Sequence, residues 1–129
     1  MAVLLNHTIV RCRDRQRSAD FLTDILGRPP ATVFEPFLIV EADNGVSLDY
    51  HQTDDEIASQ HYAFLISEAE FDEVYGRITA RGLDHWGDPA CRTPGINHHD
   101  GGRATYFRDP DDHLLEVLTR PYGSGDDDG

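Results

Sequence analysis

Cysteine is scarce: Cys12 and Cys91 are the only two, too few for a disulfide framework. Two reduced thiols in a cytoplasmic protein are the expectation. No apolar run approaches the ~20 residues that a membrane-crossing helix needs. The opening MAVLLNHTIV has neither a basic start nor a cleavage site, so it reads as a first strand and not as a signal peptide. Positive charge is also short, with 11 Lys and Arg against 24 Asp and Glu and a formal net charge of −13. A partner made of phosphates needs a basic face, so nucleic acid is excluded, as is an anionic membrane surface. What is there is an ordinary globular composition, 39% apolar and 27% charged, over 129 residues, a length that suits one domain.

The apolar pattern changes period four times. Residues 4–11 read as a mostly buried strand. Residues 15–26 carry Ala19, Phe21, Leu22, Ile25 and Leu26 at helical spacing, and Gly27 with Pro29-Pro30 stops that helix. Short strands follow at 32–34, 37–41 and 46–51, the last two joined by the tight-turn sequence Asp43-Asn44-Gly45. A polar linker covers 52–60. Then the order restarts, with a strand at 61–66 and a helix opened by the capping-box pair Ser67 and Glu70 and closed by Gly82. Strands are predicted at 83–86, 104–107 and 114–119, with a Gly-, Pro- and His-rich loop at 87–102 and the turn Asp109-Pro110-Asp111-Asp112. The domain is assigned to residues 1–122, in modules at about 4–52 and 60–121. Residues 123–129, ending Asp126-Asp127-Asp128, hold no apolar side chain and are expected to be a disordered acidic tail.

The two halves are an internal repeat of spacing. His7 precedes Gly27 by 20 positions and His61 precedes Gly82 by 21. Each half ends in an apolar–acid–apolar triplet, Leu48-Asp49-Tyr50 and Leu115-Glu116-Val117. His to acid is 42 positions in the first half and 55 in the second, and the loop at 87–102 holds the difference. Imidazole and carboxylate are the usual ligands of a divalent ion. An ionised acid such as Glu116, set among Leu114, Leu115, Val117 and Leu118, is costly to bury unless a cation compensates it. His7, His61 and Glu116 are therefore the expected metal ligands.

Three stretches carry a family likeness: His7-Thr8-Ile9-Val10, His61-Tyr62-Ala63-Phe64, and the run from Tyr106-Phe107-Arg108 through the Asp-Pro-Asp turn to His113-Leu114-Leu115-Glu116. On these residues the chain resembles the vicinal oxygen chelate superfamily, which contains glyoxalase I, fosfomycin-resistance thiol transferases, methylmalonyl-CoA epimerase, extradiol dioxygenases and bleomycin-resistance proteins. The resemblance spans about residues 4–122. It implies an α+β fold of two βαβββ modules forming a cup-shaped mixed sheet with flanking helices. It also implies one divalent metal ion (Zn, Ni, Mn or Fe(II)), a small-molecule substrate and a homodimer. Asp49 stands where some members have a Glu ligand, and is read as a fourth ligand, a base, a substrate contact or an outward-facing acid. Tyr106 precedes Glu116 by ten positions, as a catalytic Tyr does in the extradiol dioxygenases. Asn97, nineteen before Glu116, replaces the His common in those enzymes, which argues against ring cleavage.

The loop from Pro94 to Arg103 offers anion binding and proton transfer. Asn97, His99 and Arg103 are its candidate substrate contacts, with Arg103 expected to face the cup. The run Arg11, Arg13, Arg15 and Arg17 reads as a solvated segment or a subunit contact. The leading expectation is a metal-dependent lyase or isomerase in which the metal acts as a Lewis acid on an enolate or oxyanion, while Asp49, Tyr106 or a loop histidine moves the proton. The alternatives are an Fe(II) extradiol-type dioxygenase and a non-catalytic antibiotic-binding resistance protein.

Overall fold

Strand-to-helix changes of period, once in each half, lay out the elements of the computed structural model, which describes residues 2–125. The chain separates into two compact units, Met1–Ala58 and Ser59–Gly129. Each has the order strand, helix, three strands, so the α+β reading with two βαβββ modules holds.

In the first unit β1 (His7–Cys12), β2 (Thr32–Phe34), β3 (Phe37–Glu41) and β4 (Ser47–Gln52) form a mixed sheet in the order β1-β4-β3-β2, with β1 parallel to β4. Helix α1 (Arg15–Leu26) supplies the crossover that a parallel pair requires. The Asp14 side chain caps its start by accepting from the Arg17 N–H at 3.1 Å. Gly27 at φ 69° ends it in the left-handed conformation that glycine adopts without strain. With a side-chain period of two, Val10, Leu38, Val40, Leu48 and Tyr50 fall on the sheet face toward α1 and are buried with its Ala19, Leu22 and Ile25. The predicted first strand begins three residues late, because Leu4 and Leu5 have no ladder partner and are exposed.

The second unit repeats this plan. β5 (His61–Leu65), β6 (His85–Trp86), β7 (Ala104–Arg108) and β8 (Leu114–Leu118) are ordered β5-β8-β7-β6, with β5 parallel to β8. Helix α2 (Glu68–Ala80) opens on the predicted capping box, with both reciprocal bonds made: Glu70 N–H to Ser67 Oγ at 3.1 Å and Ser67 N–H to Glu70 Oε1 at 2.9 Å. It buries Phe71, Val74 and Ile78, and Tyr75 ties it to β6 through His85 at 2.9 Å. The Asp-Pro-Asp turn is held by Asp109, whose Oδ1 accepts from the N–H groups of Asp111 and His113, both at 2.9 Å. His113, after the turn, is buried, and its Nδ1 accepts the Gln60 N–H at 3.0 Å.

Cys12 and Cys91 form no disulfide. Among the described residues no helix is long and apolar enough to cross a membrane. Of the segment read as a disordered tail, Gly123 and Gly125 donate N–H groups to Asp100 at 3.0 and 3.3 Å, and residues 126–129 lie outside the described residues.

Candidate functional site

Strand pairing gathers three chemically able side chains on one face of the second sheet. The parallel β5–β8 ladder aligns Ala63 with Glu116, and the antiparallel β7–β8 ladder aligns Tyr106 with Glu116. Residues two apart share a face, so His61 joins them. The His61 Nε2 atom lies 3.2 Å from Glu116 Oε1.

The other ring nitrogen decides what that contact means. His61 Nδ1 is 2.9 Å from the Leu114 carbonyl, which only accepts, so Nδ1 carries a hydrogen. In the neutral ring Nε2 then presents a lone pair, and it faces a carboxylate oxygen. A second proton or a cation must lie between them. Two ligand atoms at ~2.0–2.2 Å from one ion sit about 2.8–3.6 Å apart in tetrahedral or octahedral geometry. The observed 3.2 Å falls inside that window, so the donor set fits a divalent metal. A backbone carbonyl behind a ligand histidine is also the usual way its tautomer and ring plane are fixed.

Glu116 is fully buried, at 0% exposure. Its second oxygen, Oε2, accepts from the Tyr122 hydroxyl at 2.6 Å, a short charge-assisted bond. Because that hydrogen is committed, Tyr106 must be the donor in the 2.6 Å contact between the two phenols. The order is Tyr106 to Tyr122 to Glu116. Burial pushes both phenols above their ordinary pKa, and for Tyr122 the adjoining carboxylate pushes in the same direction. Nothing in the strand pattern singles out Tyr122, which follows the last strand and Pro121. A tyrosine six positions after a buried acid was the only signal.

The first unit carries the equivalent positions. His7 aligns with Ser47 and Ile9 with Asp49, so His7 and Asp49 share a face. His7 is exposed, and its Nδ1 meets Asn6 Oδ1 at 2.7 Å. Asp49 is 8% exposed and accepts from Ser47 Oγ at 2.8 Å. Among the described residues no three His, Cys, Asp or Glu side chains are gathered as a metal-holding group.

The loop candidates point elsewhere. Arg103 lies on strand parity with Thr105 and Phe107, opposite to Tyr106. Its guanidinium binds Glu68 Oε1 at 2.8 Å, the Glu68 carbonyl at 3.0 Å and Asp72 at 2.9 Å, and stacks 4.4 Å over the Phe71 ring. It braces the start of α2 and is directed away from Glu116. Asn97 donates to the Gly87 carbonyl at 2.8 Å and accepts from the His99 N–H at 3.1 Å, closing the loop on itself. His99 is exposed in a one-turn 3₁₀ segment, His99–Gly101.

Known proteins share this fold. Residues 4–117 match the Glyoxalase/Bleomycin resistance protein/Dioxygenase superfamily. The glutathione transferase FosA of Serratia marcescens is 27% identical over 119 residues, 88% of this chain and 78% of that protein. Two solved structures are far more similar. Oxidase ChaP-H1 is 58% identical, with TM-score 0.93 over 95% of this chain and 99% of that one. Oxidase ChaP-H2 is 57% identical, with TM-score 0.94 over 98% and 100%.

Proposed function

Because this chain belongs to the Glyoxalase/Bleomycin resistance protein/Dioxygenase superfamily, we propose that it is a metal-dependent oxidase acting on a small molecule with adjacent oxygen atoms. The observation that carries the reading is the His61–Glu116 pair, two donor atoms 3.2 Å apart with a backbone carbonyl behind the ring. His61 Nε2 and Glu116 Oε1 would hold the metal, and His7 is proposed as the third ligand from the sequence repeat alone. Two histidines and one carboxylate suit Fe(II), and Zn, Ni or Mn bind the same donors. The high identity to two oxidases favours the redox-active choice over the pure Lewis-acid one.

When bound, such an ion supplies Lewis acidity toward chelating oxygens and, as Fe(II), an electron source for dioxygen. The chain's own residues supply the rest. The Leu114 carbonyl keeps the His61 ring in the tautomer that presents Nε2. Tyr106 and Tyr122 form a hydroxyl path ending at Glu116, able to pass a proton to or from a substrate oxygen. Asp49, held by Ser47, is the proposed base of the first module. Exposed Ile9, Val33, Phe34 and Leu65 give a second copy apolar surface to cover, consistent with the homodimer common in this superfamily.

The test is metal analysis of protein purified without a metal-affinity tag, followed by oxygen-uptake measurements of the Fe(II)-loaded protein with ortho-dihydroxy aromatic compounds. Near-stoichiometric metal, lost in His61→Ala and Glu116→Gln, supports the site, and oxygen uptake supports the oxidase. No metal even after reconstitution sinks both and leaves a non-catalytic binding protein. Bound metal without any oxygen uptake returns the reading to Lewis-acid chemistry.

A further inference from the structure

The segment after β8 is built into the second unit by features that metal ligation alone does not call for. Asp100 accepts two backbone N–H groups from it, Gly123 on Oδ2 at 3.0 Å and Gly125 on Oδ1 at 3.3 Å. Two glycines allow the close approach. A Cβ on Gly102 would fall 2.5 Å from Thr119 Oγ1 and Arg120 Cγ, and one on Gly125 would overlap the Asp100 backbone. Gly123, at φ 76°, turns the chain, and Ser124 closes the turn on the Pro121 carbonyl through its N–H at 3.1 Å and its hydroxyl at 2.6 Å. Between these anchors stands Tyr122. Its residue is 60% exposed, yet its hydroxyl sits on the fully buried carboxylate of Glu116.

We infer that Asp100 and Tyr122 act together as a latch that restricts Glu116 to one ligating oxygen. The inference rests on the reading of His61 and Glu116 as metal ligands. A carboxylate with both oxygens available can close on an ion as a chelate and fill two coordination positions. Here Oε2 is taken by the phenol, and the oxygen left over, Oε1, is the one beside His61 Nε2. Tyr122 is therefore a positioning residue for the ligand, and Asp100 positions Tyr122. The effect is one more coordination place left to substrate.

Cobalt(II), whose visible absorption weakens as its coordination number rises, is the probe. In the full chain loaded with Co(II), Tyr122→Phe keeps the ring and frees Oε2, and the visible band is expected to lose intensity. Asp100→Ala is expected to change the band in the same direction, with Asp100→Asn, which keeps one acceptor, in between. In metal-free protein, amide exchange by NMR is expected to show Gly123 and Gly125 losing protection in Asp100→Ala while the strand amides of β7 and β8 keep theirs. An unchanged band in Tyr122→Phe with metal bound overturns this inference and leaves the proposed function standing. Unchanged protection of Gly123 and Gly125 overturns the part given to Asp100. Failure of the wild-type protein to take up Co(II) overturns the metal reading itself and the inference with it. If Asp100→Ala does not fold, Tyr122→Phe and Asp100→Asn carry the test.

Discussion

Tyr106 and Glu116 are direct partners across the β7–β8 ladder, and the Tyr122 hydroxyl stands 2.6 Å from the phenol of the one and from the carboxylate of the other. A carboxylate, a backbone-locked histidine and two phenols in series thus occupy one sheet face.

That arrangement predicts the alkaline behaviour of the metal-free protein. Both phenols are held above the ordinary tyrosine value, so Tyr106→Phe and Tyr122→Phe should each remove absorbance from the high-pH end of a tyrosinate titration. A raised folded-state pKa contributes stability that is whole below the unfolded value of about 10 and is lost as pH climbs above it. Tyr106→Phe should therefore show a shallower fall of Tm above that pH than wild type. Equal slopes would mean that the phenols feel no such environment.

His61 should show one tautomer. Nitrogen-15 NMR of the metal-free protein at neutral pH is expected to find the hydrogen on Nδ1, facing Leu114, and addition of Zn(II) should move the Nε2 resonance most. A hydrogen on Nε2 of the neutral ring would contradict the observed hydrogen bonding.

Arg103→Met should cost about 1 kcal/mol or slightly more, the sum of partly solvated ion pairs and a cation–π contact. Metal content should not change. A loss of metal with unchanged Tm would restore Arg103 to the site.

Among the described residues Asp109 Oδ2 is buried without a hydrogen-bond partner, and burial raises the pKa of this carboxyl. Its ionisation therefore lowers stability as pH rises through the folded-state value. Asp109→Asn keeps the Oδ1 acceptor of the turn and removes the charge. The Tm difference, variant minus wild type, should be more positive near pH 7 than below the ordinary Asp range of about 3.9. The opposite trend would assign the carboxylate an unseen cationic partner.

The element order was legible because each half changes period where a cap or a breaker sits: Gly27 at one helix end, Ser67 with Glu70 at the other helix start. The pairing of His61 with Glu116 follows from the parallel β5–β8 ladder, which sets His61 opposite Leu114 and so on the face that carries Glu116 two residues on. The pairing of Arg103 with helix α2 is also legible, since three positions separate it from Tyr106 and an odd interval on a strand means opposite faces. Tyr122 was not legible. Its place is set by Asp100, 22 positions earlier, through backbone N–H groups that any residue type carries. The burial of His113 was hidden for the same reason, its partner being the Gln60 amide.

The parallel pairing of β5 with β8 has a temporal consequence. His61 and Glu116 are 55 positions apart, and parallel strands cannot meet until the crossover and the intervening strands have been made. At about 5–20 residues per second a ribosome adds the acid roughly 3–11 seconds after the histidine. Throughout that interval His61 lacks its Glu116 partner. The pair that would hold an ion is thus assembled only in chains whose second module is essentially complete.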